Sequence, residues 1–165
     1  MSEHRHHIAQ YNFACIRAPL EDPIMEGFVQ GLDHINHLAD RSEGFVWRLQ
    51  TAEGNSVSIR PYPDQRLLVT LSVWTSIEHL FAFTYTADHA AFLRQRARWF
   101  EHLEPHYLVL WWVPAGHIPS VREGQDRLEH LRRYGPTPWA FTFKERFPPP
   151  EPGELEDPVL AGRGG

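Results

Sequence analysis

The chain has 165 residues, 42% of them apolar and 22% charged, which suits one globular domain with a sizeable core. Its formal net charge of -5 argues against a nucleic-acid binder, and no stretch approaches the roughly 20 apolar residues of a membrane-spanning helix. The lone cysteine, Cys15, cannot close an internal disulfide, and the amino-terminal stretch lacks the apolar centre of a signal peptide, so a cytoplasmic protein is expected.

Residues 7–14 alternate as a strand, with Ile8, Gln10 and Asn12 on one face and Ala9, Tyr11 and Phe13 on the other. Asp22 then caps a helix that has Pro23 at its first position. Ile24, Phe28, Leu32, Ile35 and Ala39 give that helix, over 23–40, one apolar stripe. A second strand follows over 45–50, with Phe45, Trp47 and Leu49 on one face. Val57 to Arg60 reads as a short return strand after the Gly54-Asn55 turn.

The third main strand, Leu67 to Trp74, carries Leu67, Val69, Leu71 and Val73 on one face and the mixed set Leu68, Thr70, Ser72 and Trp74 on the other. Thr75-Ser76-Ile77-Glu78 is a capping box that starts a helix running to Phe83 or Thr84. A second helical segment spans 87–102. Its Arg94, Arg96 and Arg98 are followed by Glu101 and Glu104 and read as a solvated face.

The run Tyr107 to Val113 is seven apolar residues and forms a strand that must be covered on both faces. Ser120 caps a further helix that closes at Gly135-Pro136, and Trp139 to Phe143 can add an edge strand. The expected organisation is a flexible start over 1–5, one domain over 6–147 and a Pro-, Gly- and Glu-rich disordered tail over 148–165.

This order of elements is the split βαβ pattern of a ferredoxin-like α+β fold. It implies a four-stranded antiparallel sheet with both crossover helices on the face of Val69, Leu71 and Val73. The other face holds Leu68, Trp74 and half of the 107–113 run, more apolar surface than the chain is expected to shelter alone. A homodimer packed sheet face to sheet face is therefore expected, with the extra C-terminal helix covering only part.

The passage Ser72-Val73-Trp74-Thr75-Ser76-Ile77-Glu78-His79-Leu80, with Phe83 and His89, resembles the dimeric α+β barrel superfamily, which includes antibiotic-biosynthesis and haem-degrading monooxygenases. Asp40 to Gln50, Leu110 to Pro119, Gly135 to Pro138 and Ala140 to Phe143 are similar to a bacterial domain family of unassigned function within it. That likeness covers 6–147 and implies the fold. The haem-degrading members use an asparagine on the first strand, then a tryptophan and a histidine ligand on the second main helix. Asn12 stands at the first position, whereas Phe83 and Phe92 stand near the other two, and His89 lies one turn before Phe92.

Two residues are candidates for catalysis. His89, at the start of a helical segment, reads as a general base or as a hydrogen-bonded helix-start residue. Asn12 is a polar group on a strand. The candidate ligand-binding residues are Trp47, Arg48, Trp74, Phe83, Tyr85, Trp112 and His117. The tryptophans suit pocket walls as well as plain core. Arg48 suits a bidentate carboxylate or an acid across a dimer. His117, beside Gly116, suits a ligand contact or a loop-fixing bond. Cys15 reads as a buried apolar residue rather than a nucleophile.

Neither metal nor organic cofactor is expected. His34 and His37 lack a third convergent ligand, and no phosphate loop or GxSxG elbow appears. The reading is a small-molecule-binding protein that can be a cofactor-independent, monooxygenase-like enzyme acting on an aromatic or apolar substrate. The alternatives are a non-catalytic binding or assembly module and a haem-binding protein. No nucleic-acid or membrane partner is expected.

Overall fold

The computed structural model describes residues 5–102 and 107–151. Most of the expected flexible start and tail lies outside the described residues. Four strands, β1 (His6–Cys15), β2 (Phe45–Arg48), β3 (Leu67–Trp74) and β4 (Leu108–Pro114), form one antiparallel sheet in the order β2-β3-β1-β4. The two central strands pair with Ile8 opposite Trp74 and Asn12 opposite Thr70. This is the ferredoxin-like α+β arrangement.

Local chemistry sets the helix boundaries. The Asp22 carboxylate accepts the Ile24 N–H at 3.0 Å and starts a 3-10 turn, Pro23–Met25, which leads into α1 (Glu26–Asp40). That turn leaves Ile24 49% exposed, so the buried stripe of α1 begins later, at Phe28. The cap of α2 (Ile77–Thr84) is Ser76, one residue after the expected Thr75, and its hydroxyl accepts the His79 N–H at 3.1 Å. The expected segment 87–102 is two helices, α3 (Ala87–Arg94) and α4 (Arg96–Trp99), with Thr86 capping the first. Ser120 caps α5 (Val121–Tyr134) as expected, and Gly135 ends it at φ 75°.

Two expected strands are corrected. Val57 to Arg60 is a turn, tied by the Arg60 Nε–H to Val57 O bond at 2.5 Å. Trp139 to Phe143 contributes only isolated bridges, one of which pairs Phe141 with Leu110. A register shift between Phe45 and Trp47 also splits the face expected for β2. Phe45 packs with Trp74 on one side of the sheet, whereas Trp47 and Leu49 pack on the other.

The coverage of the sheet is the reverse of the expectation. Helices α1 and α2 lie over the face of Ile8, Leu110 and Trp74, where Ala39, Ile77 and Leu80 complete the core. The face of Val69, Leu71 and Val73, with Ala9, Tyr11, Val109 and Trp111, is covered by Leu128 and Leu131 of α5 and by Ala140. Val73, Val109, Trp111 and Leu131 are fully buried within the single chain. Each such side chain contributes ~1.5–3 kcal/mol by leaving water. Apolar burial therefore creates no demand for a second copy through this face, because the C-terminal helix already supplies its cover.

Candidate functional site

On the helix-covered face the apolar side chains form two separate clusters. One centres on Ile8, Trp74, Leu80 and Leu110, the other on Met25, Phe28, Leu68 and Trp99. Between them, the period-2 alternation of β1 and β3 places four polar side chains, Gln10, Asn12, Thr70 and Ser72, in adjacent register. Buried polar groups need partners, and these supply one another. The Trp74 indole N–H donates to Ser72 Oγ at 3.1 Å, and the Ser72 hydroxyl donates to Gln10 Oε1 at 3.0 Å. The Gln10 amide donates to Asn12 Oδ1 at 2.5 Å, and the Thr70 hydroxyl donates to the same oxygen.

Both bonds to Asn12 converge on Oδ1, so among the described residues its Nδ2 donors stay available. Thr70 is exposed and Asn12 half-buried, although both sit on the two central strands beneath the helix layer. The cover is incomplete there. α3 leans onto α1 instead, with the Phe92 ring seated where Gly31 has no side chain. A Cβ at Gly31 would lie 2.5 Å from that ring.

At one end of the polar strip, Phe83 stacks on Trp74 with ring centroids 5.1 Å apart, and His89 meets Phe83 at 4.9 Å. His89 Nδ1–H donates to Thr84 O at 2.7 Å, which fixes the tautomer and leaves the Nε2 lone pair as its basic position. Burial lowers the His89 pKa below the ordinary histidine range, against a smaller opposing effect of the Thr84 bond. Burial thus favours its neutral form.

The structure thus links Asn12, Trp74, Phe83 and His89 through the strip and its aromatic end. The other candidates lie elsewhere. Trp47 packs on the opposite face of the sheet. Tyr85 is 58% exposed and rests on Phe81. His117 is held outside by Glu123, its Nε2 2.8 Å from Oε1, while the Trp111 indole N–H donates to the other oxygen at 2.9 Å. Its loop-fixing reading is the one the contacts support.

Arg48 lies on the helix-covered face but is occupied. Its Nε–H and Nη2–H donate to the two Asp40 oxygens at 2.7 and 3.2 Å, and Nη1–H donates to Gly54 O at 2.7 Å. Its acid is within the same chain, not across a dimer. Trp112 borders a separate surface cleft of about 510 Å³ with Arg5, Arg146 and Phe147. Another cleft of about 570 Å³ lies by Arg17, Arg98 and Trp99, and neither is lined by Asn12 or His89.

Cys15 is a core thiol. Burial pushes its pKa up, and it donates to Glu101 Oε2 at 3.6 Å. Among the described residues no group of three His, Cys, Asp or Glu side chains is placed to hold a metal. No helix among them is long and apolar enough to cross a membrane. The haem-ligand position of the resemblance falls at Phe92, whose ring packs on Phe28 and Trp99 and offers no donor atom, so these residues do not fit a haem of that type.

Asn12 stands out among the residues alone, whereas its partners do not. Gln10, Thr70 and Ser72 were legible as polar members of one strand face, and that alternation was the signal available for them. The acid that neutralises Arg48, Asp40, carried no such signal.

A four-stranded sheet of this order, with two crossover helices on one face, defines a ferredoxin-like α+β protein. The chain belongs to the DUF3291 family, described as a domain of unknown function, which matches residues 7–156. No curated protein matches it.

Solved structures similar to it include SnoaB, a cofactor-independent oxygenase from Streptomyces nogalater, at 11% identity and a TM-score of 0.47, covering 69% of this chain and 98% of that one. A provisionally assigned antibiotic biosynthesis monooxygenase from Nitrosomonas europaea is 13% identical, with a TM-score of 0.45 and coverage of 73% and 99%. A dabb family protein with a ferredoxin-like fold from Mesorhizobium loti is 12% identical, with a TM-score of 0.39 and coverage of 69% and 98%. At these identities and scores none of them bears on the chemistry of this chain.

Proposed function

We propose that this protein binds a small apolar or aromatic organic molecule in the gap between sheet and helix layer, above Asn12 and Thr70. The observation that carries this reading is the exposure of Thr70 on a central strand of the helix-covered face. A ring in that gap would meet the half-buried Phe83, which stacks on the buried Trp74, and a polar substituent would meet Asn12 Nδ2 and the Thr70 hydroxyl. The site lies within one chain. Ligand binding in this reading needs no second copy, and a homodimer through the α5-covered face would first have to displace that helix. The lone free thiol suits a reducing compartment, and we place the protein in the cytoplasm.

The His89 imidazole, its Nδ1–H tied to Thr84 O and its protonated form disfavoured by burial, favours a finer reading as a cofactor-independent oxygenase. Nε2 would take a proton from an activated CH2 group of the substrate, and dioxygen would add to the resulting carbanion. Loss of water from that hydroperoxide leaves a carbonyl, so one oxygen atom enters the product and the other leaves as water.

The test is nuclear magnetic resonance titration with 2-naphthol. Shifts should gather at Asn12, Thr70 and Ser72, and Thr70→Trp, which fills the gap, should abolish them without loss of the fold. Shifts elsewhere, or unchanged binding by Thr70→Trp, would refute the site. Oxygen uptake with activated aromatic ketones that His89→Gln does not diminish would remove the oxygenase reading.

A further inference from the structure

The cleft beside Trp112 has a different chemistry from the gap above Asn12. The Trp112 indole N–H donates to Phe147 O at 2.9 Å and so holds the segment after α5 against the edge of β4. This makes Trp112 and Phe147 neighbouring apolar walls of a cleft of about 510 Å³. Two arginines, Arg5 and Arg146, are among the residues that line the same cleft.

Arg146 is oriented. Its Nε–H donates to Phe143 O at 3.0 Å, and the group lies 5.1 Å from the Phe81 ring centroid. Its Nη donors remain open, and among the described residues neither Arg5 nor Arg146 is paired with a carboxylate. Glu78 is the acid that borders the cleft, and His6 borders it too, so the fixed charges sum to a net positive value. The N-terminal end of α2 adds its positive pole.

A cleft walled in part by Trp112 and Phe147 and lined by two arginines that are unpaired with any carboxylate among the described residues suits a flat ring bearing one anionic group. We infer that this cleft binds an aryl carboxylate, its ring between Trp112 and Phe147 and its carboxylate bridged by Arg5 and Arg146.

The experiment titrates the full chain with 2-naphthoate, with its neutral analogue 2-naphthol and with inorganic phosphate. Naphthoate should shift the Trp112 indole N–H resonance. Arg146→Ala and Arg5→Ala should each weaken it about tenfold, and both residues are exposed, so the fold should be intact. Naphthol should bind this cleft at least tenfold more weakly. Unchanged affinity in both arginine variants would overturn the proposal. So would naphthoate shifts confined to Asn12 and Thr70, which would assign the ligand to the sheet–helix gap instead. Phosphate displacing naphthoate at equal concentration would also overturn it, since the ring would then contribute nothing.

Discussion

Gly124 of α5 stands directly on the ring of Tyr11. A Cβ at that position would lie 2.6 Å from Tyr11 Cδ2 and 2.7 Å from Cγ. The absent side chain lets α5 descend onto the sheet, and Tyr11 is left with no exposed surface. The Tyr11 hydroxyl then reaches Tyr62, oxygen to oxygen 2.7 Å apart. This contact explains how one chain covers both faces of its own sheet.

Replacement of Gly124 tests it. In an open helix, Gly→Ala raises stability by up to about 1 kcal/mol. Here the added carbon meets a buried ring, so Gly124→Val should cost about 1–3 kcal/mol through overpacking. Urea unfolding measures this, and a variant as stable as the parent would show that α5 is not seated on Tyr11.

The Arg48–Asp40 pair makes a second test. The Arg48 side chain is 10% exposed and that of Asp40 35% exposed. Removing one partner of a fully buried pair costs about 3–5 kcal/mol, and solvent at Asp40 screens part of that. Asp40→Ala should therefore lower stability by about 2 kcal/mol. The double variant Asp40→Leu with Arg48→Met should recover part of the loss, because no charge is then left stranded. A double variant as unstable as the sum of the singles would show that the two residues are not coupled.

His89 sets a pH dependence. Its folded pKa is lowered by burial, so the unfolded chain binds the proton more readily than the folded one. Stability rises with pH wherever the unfolded state holds more protons. The histidine penalty is absent above the unfolded value of about 6.5 and grows as pH falls from there toward the folded pKa. Unfolding free energies at pH 7.5 and pH 5.0 should differ less in His89→Gln than in the parent. Equal differences in the two proteins would place His89 in water.

Much of this architecture was legible in the residues because the signals are local. The alternation of Leu67 to Trp74 gave β3 its observed limits, and Ser120 and Gly135 marked the ends of α5. Capping and alternation act over a few residues, so they survive without knowledge of the fold. The same alternation placed Asn12 beside Gln10 and Thr70 beside Ser72 on their own strands.

What local signals could not decide was which face each helix would take. Both faces of β3 carry apolar side chains, Leu68 and Trp74 on one and Val69, Leu71 and Val73 on the other, so hydrophobicity did not rank them. Long-range packing did: the close seat of Gly124 on Tyr11 drew α5 to one face and left the other to α1 and α2. The register that sets Thr70 beside Asn12, the salt bridge from Arg48 to Asp40 and the capture of His117 by Glu123 likewise depend on where distant segments meet. A strand's own period determined which residues share a side; only the tertiary structure decided what lies over that side, because the cover comes from elsewhere in the chain.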